Sequence, residues 1–207
     1  MAIKPILFNT EMVRANLDGR KSCTRRLVKG FVPDDAIWGY TAFTPKGYIS
    51  CRGTFADGYG EKFFKLPYQP GDILYVQETW YKGLERCMYR ADYSDTEKFY
   101  RNGKEIEMKW KPSIRMPKEA ARIWLKCTDV RVERLQEITE VGIQKEGVEV
   151  DPKECAGKFD FISELFLLFQ RLWDSTIKKS DRDRYGWNAS PWVWVIEFER
   201  CEKPEGV

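Results

Sequence analysis

Three apolar runs of strand length constrain this fold most. Ile73 to Trp80 follows the sharp turn Gln69-Pro70-Gly71-Asp72, and its composition places it in a core. Ala121 to Leu135 alternates through Ile123, Leu125 and Cys127 and then, past a phase break at Thr128-Asp129, through Val130 and Val132. Trp192 to Cys201 comes last, apolar for most of its length. Runs of this kind must pair with one another, because an unpaired buried backbone is costly. They set a β-rich frame into which the rest of the chain has to fit.

Shorter signals fill in that frame. Ile3 to Phe8 reads as a buried strand. Thr10 is a suitable N-cap for a helix from Glu11 to about Asp18, with Val13 and Leu17 stacked and Gly19 as its C′ residue. Ile37 to Phe43, the turn Thr44-Pro45-Lys46-Gly47 and Tyr48 to Phe55 form a hairpin pattern, followed by a strand from Glu61 to Leu66 and another from Met88 to Asp92. Residues 93–120 read as an irregular polar excursion. Thr139 caps a short helix that ends near Gly147, with Glu146 at its close, and Asp160 to Ile177 is an apolar amphipathic helix. Several short strands with a few helices around them predict an α+β protein built on a small mixed barrel.

Composition narrows the function. The chain has 207 residues, 43% hydrophobic and 14% aromatic, enough for one elaborated domain with a sizeable core. Its 35 basic and 32 acidic residues leave a net charge of +3, too balanced to require a nucleic-acid partner. With no histidine, Ser-His-Asp and Cys-His catalysis and most zinc sites are excluded, and acid–base work falls to Lys, Asp, Glu, Tyr or Cys. The cysteines at 23, 51, 87, 127, 155 and 201 include no CxxC pair. With no signal peptide and no long apolar span, this predicts free thiols in a reducing cytoplasm and no membrane partner. No metal and no cofactor are expected.

Polar chemistry concentrates between Leu17 and Arg26. Lys21 stands three residues before Thr24, just past the helix stop at Gly19, with Arg20, Arg25 and Arg26 around them. By itself such a run reads as a solvated basic face that complements a helix C-terminus. Its chemical reading is different. A buried lysine near positive charge becomes a base, and a threonine hydroxyl attacks a carbonyl once a base takes its proton.

Three segments in order favour the chemical reading. Gly19-Arg20-Lys21-x-x-Thr24-x-Arg26, Pro70-Gly71-Asp72-Ile73-Leu74-x-Val76-x-Glu78-Thr79-Trp80 and Ile138-Thr139-Glu140…Glu146-Gly147 resemble the motifs of the ASCH domain family, and Trp192 to Phe198 resembles its closing strand. Tyr89-Arg90-Ala91-Asp92 and Trp110-Lys111-Pro112-Ser113 resemble segments of the longer ASCH proteins carried by phages and prophages. The resemblance spans nearly the whole chain. It implies a PUA-like pseudo-barrel, with residues 30–68 and 81–118 as insertions relative to the minimal enzymes. It also implies a metal-independent amidohydrolase that removes acyl groups from N4-acylated cytosine or cytidine. The implied roles are Lys21 as base, Thr24 as nucleophile and Glu146 as acid or orienting group. A variant keeps Thr24 for binding and lets Glu146 activate water.

One geometric condition follows. In a straight strand residues 21 and 24 point to opposite faces, so the chain must turn or bulge between them. Around this set, Arg20, Arg25 and Arg26 are expected to hold substrate. Trp80, Trp110 and Trp187 either stack on a base or pack in the interior. Glu78 either binds a base edge or pairs with Arg25 or Arg26. The alternative function is a non-catalytic module that binds RNA or a modified nucleoside in the same pocket.

Overall fold

The computed structural model describes residues 1–83, 86–101, 103–150 and 161–206. The architecture is α+β, mostly strands in several sheets with few helices. In chain order the elements are β1 (Ile3–Leu7), α1 (Thr10–Leu17), β2 (Cys23–Leu27), β3 (Ile37–Gly39), β4 (Tyr48–Phe55) and β5 (Gly58–Lys65). There follow β6 (Ile73–Gln77), β7 (Trp80–Lys82), β8 (Cys87–Tyr89), β9 (Phe99–Arg101), β10 (Lys104–Ile106) and β11 (Trp124–Arg134). The last are α2 (Glu140–Lys145), α3 (Phe161–Thr176), α4 (Arg182–Tyr185) and β12 (Trp192–Cys201).

The three apolar runs do form the centre. The principal sheet has the order β1-β6-β11-β12-β2, with β1 and β6 parallel and the other pairs antiparallel. The phase break at Thr128 is a bulge: the β11–β12 register shifts between Cys127 and Asp129. The near-continuous apolar character of β12 has a simple cause, burial on both faces. Trp194, Ile196 and Phe198 enter a central cluster with Ile6, Phe8, Leu74, Val76 and Leu125. Val193 and Val195 face the other way, into a second cluster where Leu165, Phe169 and Trp173 of α3 pack. Those three recur every four residues, one face of a helix.

The expected barrel does not close. β1 and β2 are the two edges of the sheet, and among the described residues no ladder joins them. A side chain spans the space instead: the Arg26 guanidinium donates to the Leu7 carbonyl at 2.9 Å. The β3-β4-β5 sheet attaches through Trp38, whose ring meets Phe64, Trp192 and Trp194 at 5.1, 5.8 and 6.1 Å.

Several local expectations need correction. The side chain that caps α1 is that of Asn9, accepting from the Met12 amide at 2.8 Å, and Thr10 is the first helical residue. β3 stops at Gly39, because Thr41 and Thr44 close a turn on each other. β6 stops at Gln77, where its partner β1 also ends, so Ile73 to Trp80 is not one strand; Trp80 begins the separate β7–β8 hairpin. The expected strand from Met88 to Asp92 is β8 followed by a 3₁₀ turn over Arg90–Asp92. The excursion at 93–120 contains the β9–β10 hairpin. Asp160, the expected first residue of α3, and Cys155 lie outside the described residues. Among the described residues no helix is long and apolar enough to cross a membrane.

Candidate functional site

Between residues 21 and 24 the chain does not run as one straight strand. α1 ends in a left-handed Gly19, φ 77°, and the amides of Arg20 and Lys21 both donate to the Ala15 carbonyl. Lys21 is therefore still tied to the helix end. It forms an isolated antiparallel bridge with Glu146, and β2 begins only at Cys23. The Ser22 amide donates to the Lys145 carbonyl, which joins the start of β2 to the end of α2.

Lys21 then folds back over the free edge of β2. The Ser22 carbonyl accepts from Phe198 on the β12 side, so the Cys23 carbonyl points to the opposite, unpaired edge. Lys21 Nζ caps that oxygen at 2.8 Å, and also lies 2.9 Å from the Glu146 carbonyl and 2.7 Å from Glu146 Oε2. The Lys21 and Glu146 side chains are 0% and 4% exposed. The Phe8 ring centroid lies 5.4 Å from Nζ.

This geometry fits two proton arrangements. An ammonium can donate to all three oxygens. A neutral amine can donate to the two carbonyls and accept the proton of a protonated Glu146. Burial holds Lys21 below the ordinary lysine range; the Glu146 carboxylate opposes this and the nearby Arg26 charge adds to it.

Thr24 sits on β2 opposite Ile196, and directly paired residues share a face, so its side chain points toward the central cluster. It is fully buried, and among the described residues its Oγ1 has no hydrogen-bond partner. Leaving a buried hydroxyl unpaired costs about 1–3 kcal/mol. Lys21 and Thr24 do not hydrogen-bond each other in this arrangement. The Lys21 ammonium is seated on the peptide group that links Cys23 to Thr24.

Arg25 points to the other face and completes an ion network. Its Nη1 is 3.4 Å from Glu146 Oε1, and its Nη2 is 3.3 Å from Glu133 Oε2. Glu133 in turn receives Arg131 Nε at 2.6 Å, and Arg131 reaches Glu197 at 2.8 Å. Arg25, Glu133, Arg131 and Glu197 line a cavity of about 170 Å³ with Thr139 and Lys145. Cys23, buried beside Glu146, has its thiol pushed up to about 12 by desolvation, then by that carboxylate.

The other expected site residues lie elsewhere. Arg20 is partly exposed and binds the Gly147 carbonyl, Asp18 and Glu149. Glu78 pairs with neither Arg25 nor Arg26. Its carboxylate is held by both Nε and Nη2 of Arg122, at 2.9 and 3.0 Å, and Arg122 also binds Asp92 and lies 4.0 Å over the Tyr89 ring. Burial raises Glu78, with Arg122 opposing. Trp80 is buried among Ile73, Met116, Ala121 and Trp124. Trp110 packs with Tyr93 and Phe99, and Trp187 with Phe169.

Sequence reasoning missed Glu133 and Arg122. A signal for Glu133 was present: Asp129, Arg131 and Glu133 recur at period two at the end of β11, which puts them on one face. Nothing local pointed to Arg122. No protein-family model matches the chain, and neither does any curated protein or any solved structure.

Proposed function

We propose that the chain is a metal-independent amidohydrolase acting on N4-acylated cytosine or cytidine, with Thr24 as nucleophile and the Lys21–Glu146 pair as its proton carrier. One observation carries the reading. A buried lysine–glutamate ion pair sits on the peptide of a buried threonine whose hydroxyl has no partner among the described residues. The motifs shared with the ASCH family point to the substrate class.

The proposed cycle balances within these groups. At rest the pair is neutral overall, and in its amine–carboxylic acid form Lys21 has a lone pair. Lys21 takes the Thr24 proton as Oγ1 bonds to the acyl carbon. The tetrahedral intermediate collapses with cleavage of the bond from carbon to N4. The ammonium then returns the proton to the departing cytosine amine. Water clears the threonine ester with the same base. General-base assistance of this kind contributes about 10²–10⁴-fold. Thr24 is fully buried, so on this reading substrate enters only when the β1 and β2 edges, which the Arg26 guanidinium joins by its bond to the Leu7 carbonyl, separate.

The test is turnover of N4-acetylcytidine and its longer-chain acyl analogues by wild type, Lys21→Met, Thr24→Val and Glu146→Gln. Hydrolysis by the wild type that collapses in all three variants supports the proposal. A wild type inert across the panel that still binds N4-acetylcytidine would make the chain a reader of modified nucleosides.

A further inference from the structure

A second cavity, of about 310 Å³, opens at the opposite end of β2, where Val28 and Gly30 follow the strand. It is distinct from the buried constellation. β2 runs from Cys23 to Leu27, and at about 3.3 Å per residue Cys23 and Val28 lie roughly 16 Å apart along the strand. The volume is near the lower end of the range for small-molecule sites, about 300–1,000 Å³.

Its walls combine aromatic rings and cations. Arg134 lies over the Trp192 ring with its guanidinium carbon 4.3 Å from the centroid, and Arg184 lies over Tyr185 at 5.0 Å. The Phe31 ring is 59% exposed at the mouth, next to the exposed Lys29 and Gly30. Arg134 is held in place by the Ser190 carbonyl and by the backbone carbonyl and carboxylate of Asp34. Asp34 is the one acid lining the cavity, and its side chain is fully exposed. Among the described residues neither Arg184 nor Lys29 has a carboxylate partner. The wall also contains backbone strain. Ser190, between Ala189 and Pro191, has φ 40°, and no other described non-glycine residue has a positive φ. Such strain persists where surrounding structure enforces it, and it clusters at binding sites.

A ligand suited to these walls is planar and aromatic at one end and anionic at the other. We infer that this cavity binds a nucleotide unit, with its base against Phe31 and the Arg134 guanidinium plane and its phosphate on Arg184. Guanidinium groups stack on bases and bind phosphate through their edges. The unit is supplied either by a free mononucleotide or by one residue of a single strand. The inference is independent of amide hydrolysis.

The test is equilibrium binding of two probes to the intact protein, cytidine monophosphate and a fluorescently labelled single-stranded RNA hexamer. Phe31→Ala and Arg184→Ala change exposed side chains, and their thermal unfolding is checked beside the wild type. Each is expected to weaken binding about tenfold or more. Arg184→Ala is also expected to reduce the dependence of log affinity on log salt concentration by about one. Binding of the monophosphate at full strength identifies a free nucleotide as the ligand; binding of the hexamer alone identifies a strand. Absence of binding for both probes, or binding that neither substitution weakens, would overturn the inference.

Discussion

Replacing Glu146 by Gln tests the buried pair where it is most sensitive. The side chain keeps its shape, so packing is unchanged, but the Lys21 ammonium loses its counter-charge. Its remaining acceptors, the carbonyls of Cys23 and residue 146 and the new amide oxygen, are all neutral. Removing one partner of a buried ion pair costs about 3–5 kcal/mol. Solvent screening does not discount that figure here, because the two side chains are 0% and 4% exposed. For a chain of this size each kcal/mol moves the melting temperature by about 2–4 °C, so the expected fall is about 6–20 °C. Lys21→Met should cost less, since Glu146 keeps Arg25 at 3.4 Å and Met fills the volume of the lysine stem. The double variant should be more stable than Glu146→Gln alone, because it removes the stranded charge together with its lost partner. Urea unfolding of the four proteins measures all three relations. A Glu146→Gln protein within about 1 kcal/mol of wild type, or a double variant that merely adds the two single losses, would refute the reasoning.

Further outcomes follow from the same geometry. Because the folded-state lysine lies below the ordinary 10.5, the unfolded chain binds more protons between the two values. The contribution is complete above the unfolded value and is lost as pH falls through the lowered one; wild-type stability relative to Lys21→Met should therefore rise as pH is raised toward 10.5. Gly147 has φ 85°, and a Cβ there would lie 2.6 Å from Ala15 Cβ and 3.1 Å from Lys21 Cβ. Gly147→Ala should destabilise by at least the roughly 1–2 kcal/mol of a left-handed residue and should impair turnover by displacing Lys21; unchanged melting and kinetics would contradict this. Cys23, Cys51 and Cys127 are buried, with thiols pushed up to about 12, 11 and 11, whereas Cys87 is partly exposed. A brief maleimide pulse on the native protein, read by peptide mapping, should label Cys87 well before those three.

The parts of this structure that were legible in the sequence are those fixed by local chemistry. The two-sided apolar run of β12, the bulge at Thr128, the left-handed glycines 19 and 147 and the Thr139 cap of α2 all carry short-range signals. Even the bend required between Lys21 and Thr24 could be stated in advance from the period of a strand. Its solution could not, because it depends on α1 and α2 meeting β2 at one point. Glu78 shows the limit most clearly. Its acid character and burial were foreseeable, but its partner is Arg122, 44 residues away and next to a different strand, while the arginines close to the motif have partners of their own. Trp80 is in the interior, one of the two places expected for it, but its strand assignment failed for a related reason. The apolar run containing it crosses from one sheet to another, and hydrophobicity alone does not mark where β6 stops.

Thr24→Val tests the central claim most directly, with stability and turnover measured on the same preparation. The substitution removes a buried hydroxyl that has no partner among the described residues and conserves volume, so the protein should be as stable as wild type or more so, by up to about 1–3 kcal/mol. If Thr24 is the nucleophile, hydrolysis of N4-acetylcytidine should fall by about 10³-fold or more in that equally stable protein. A Thr24→Val protein that folds as well and still hydrolyses N4-acetylcytidine near the wild-type rate would contradict the account.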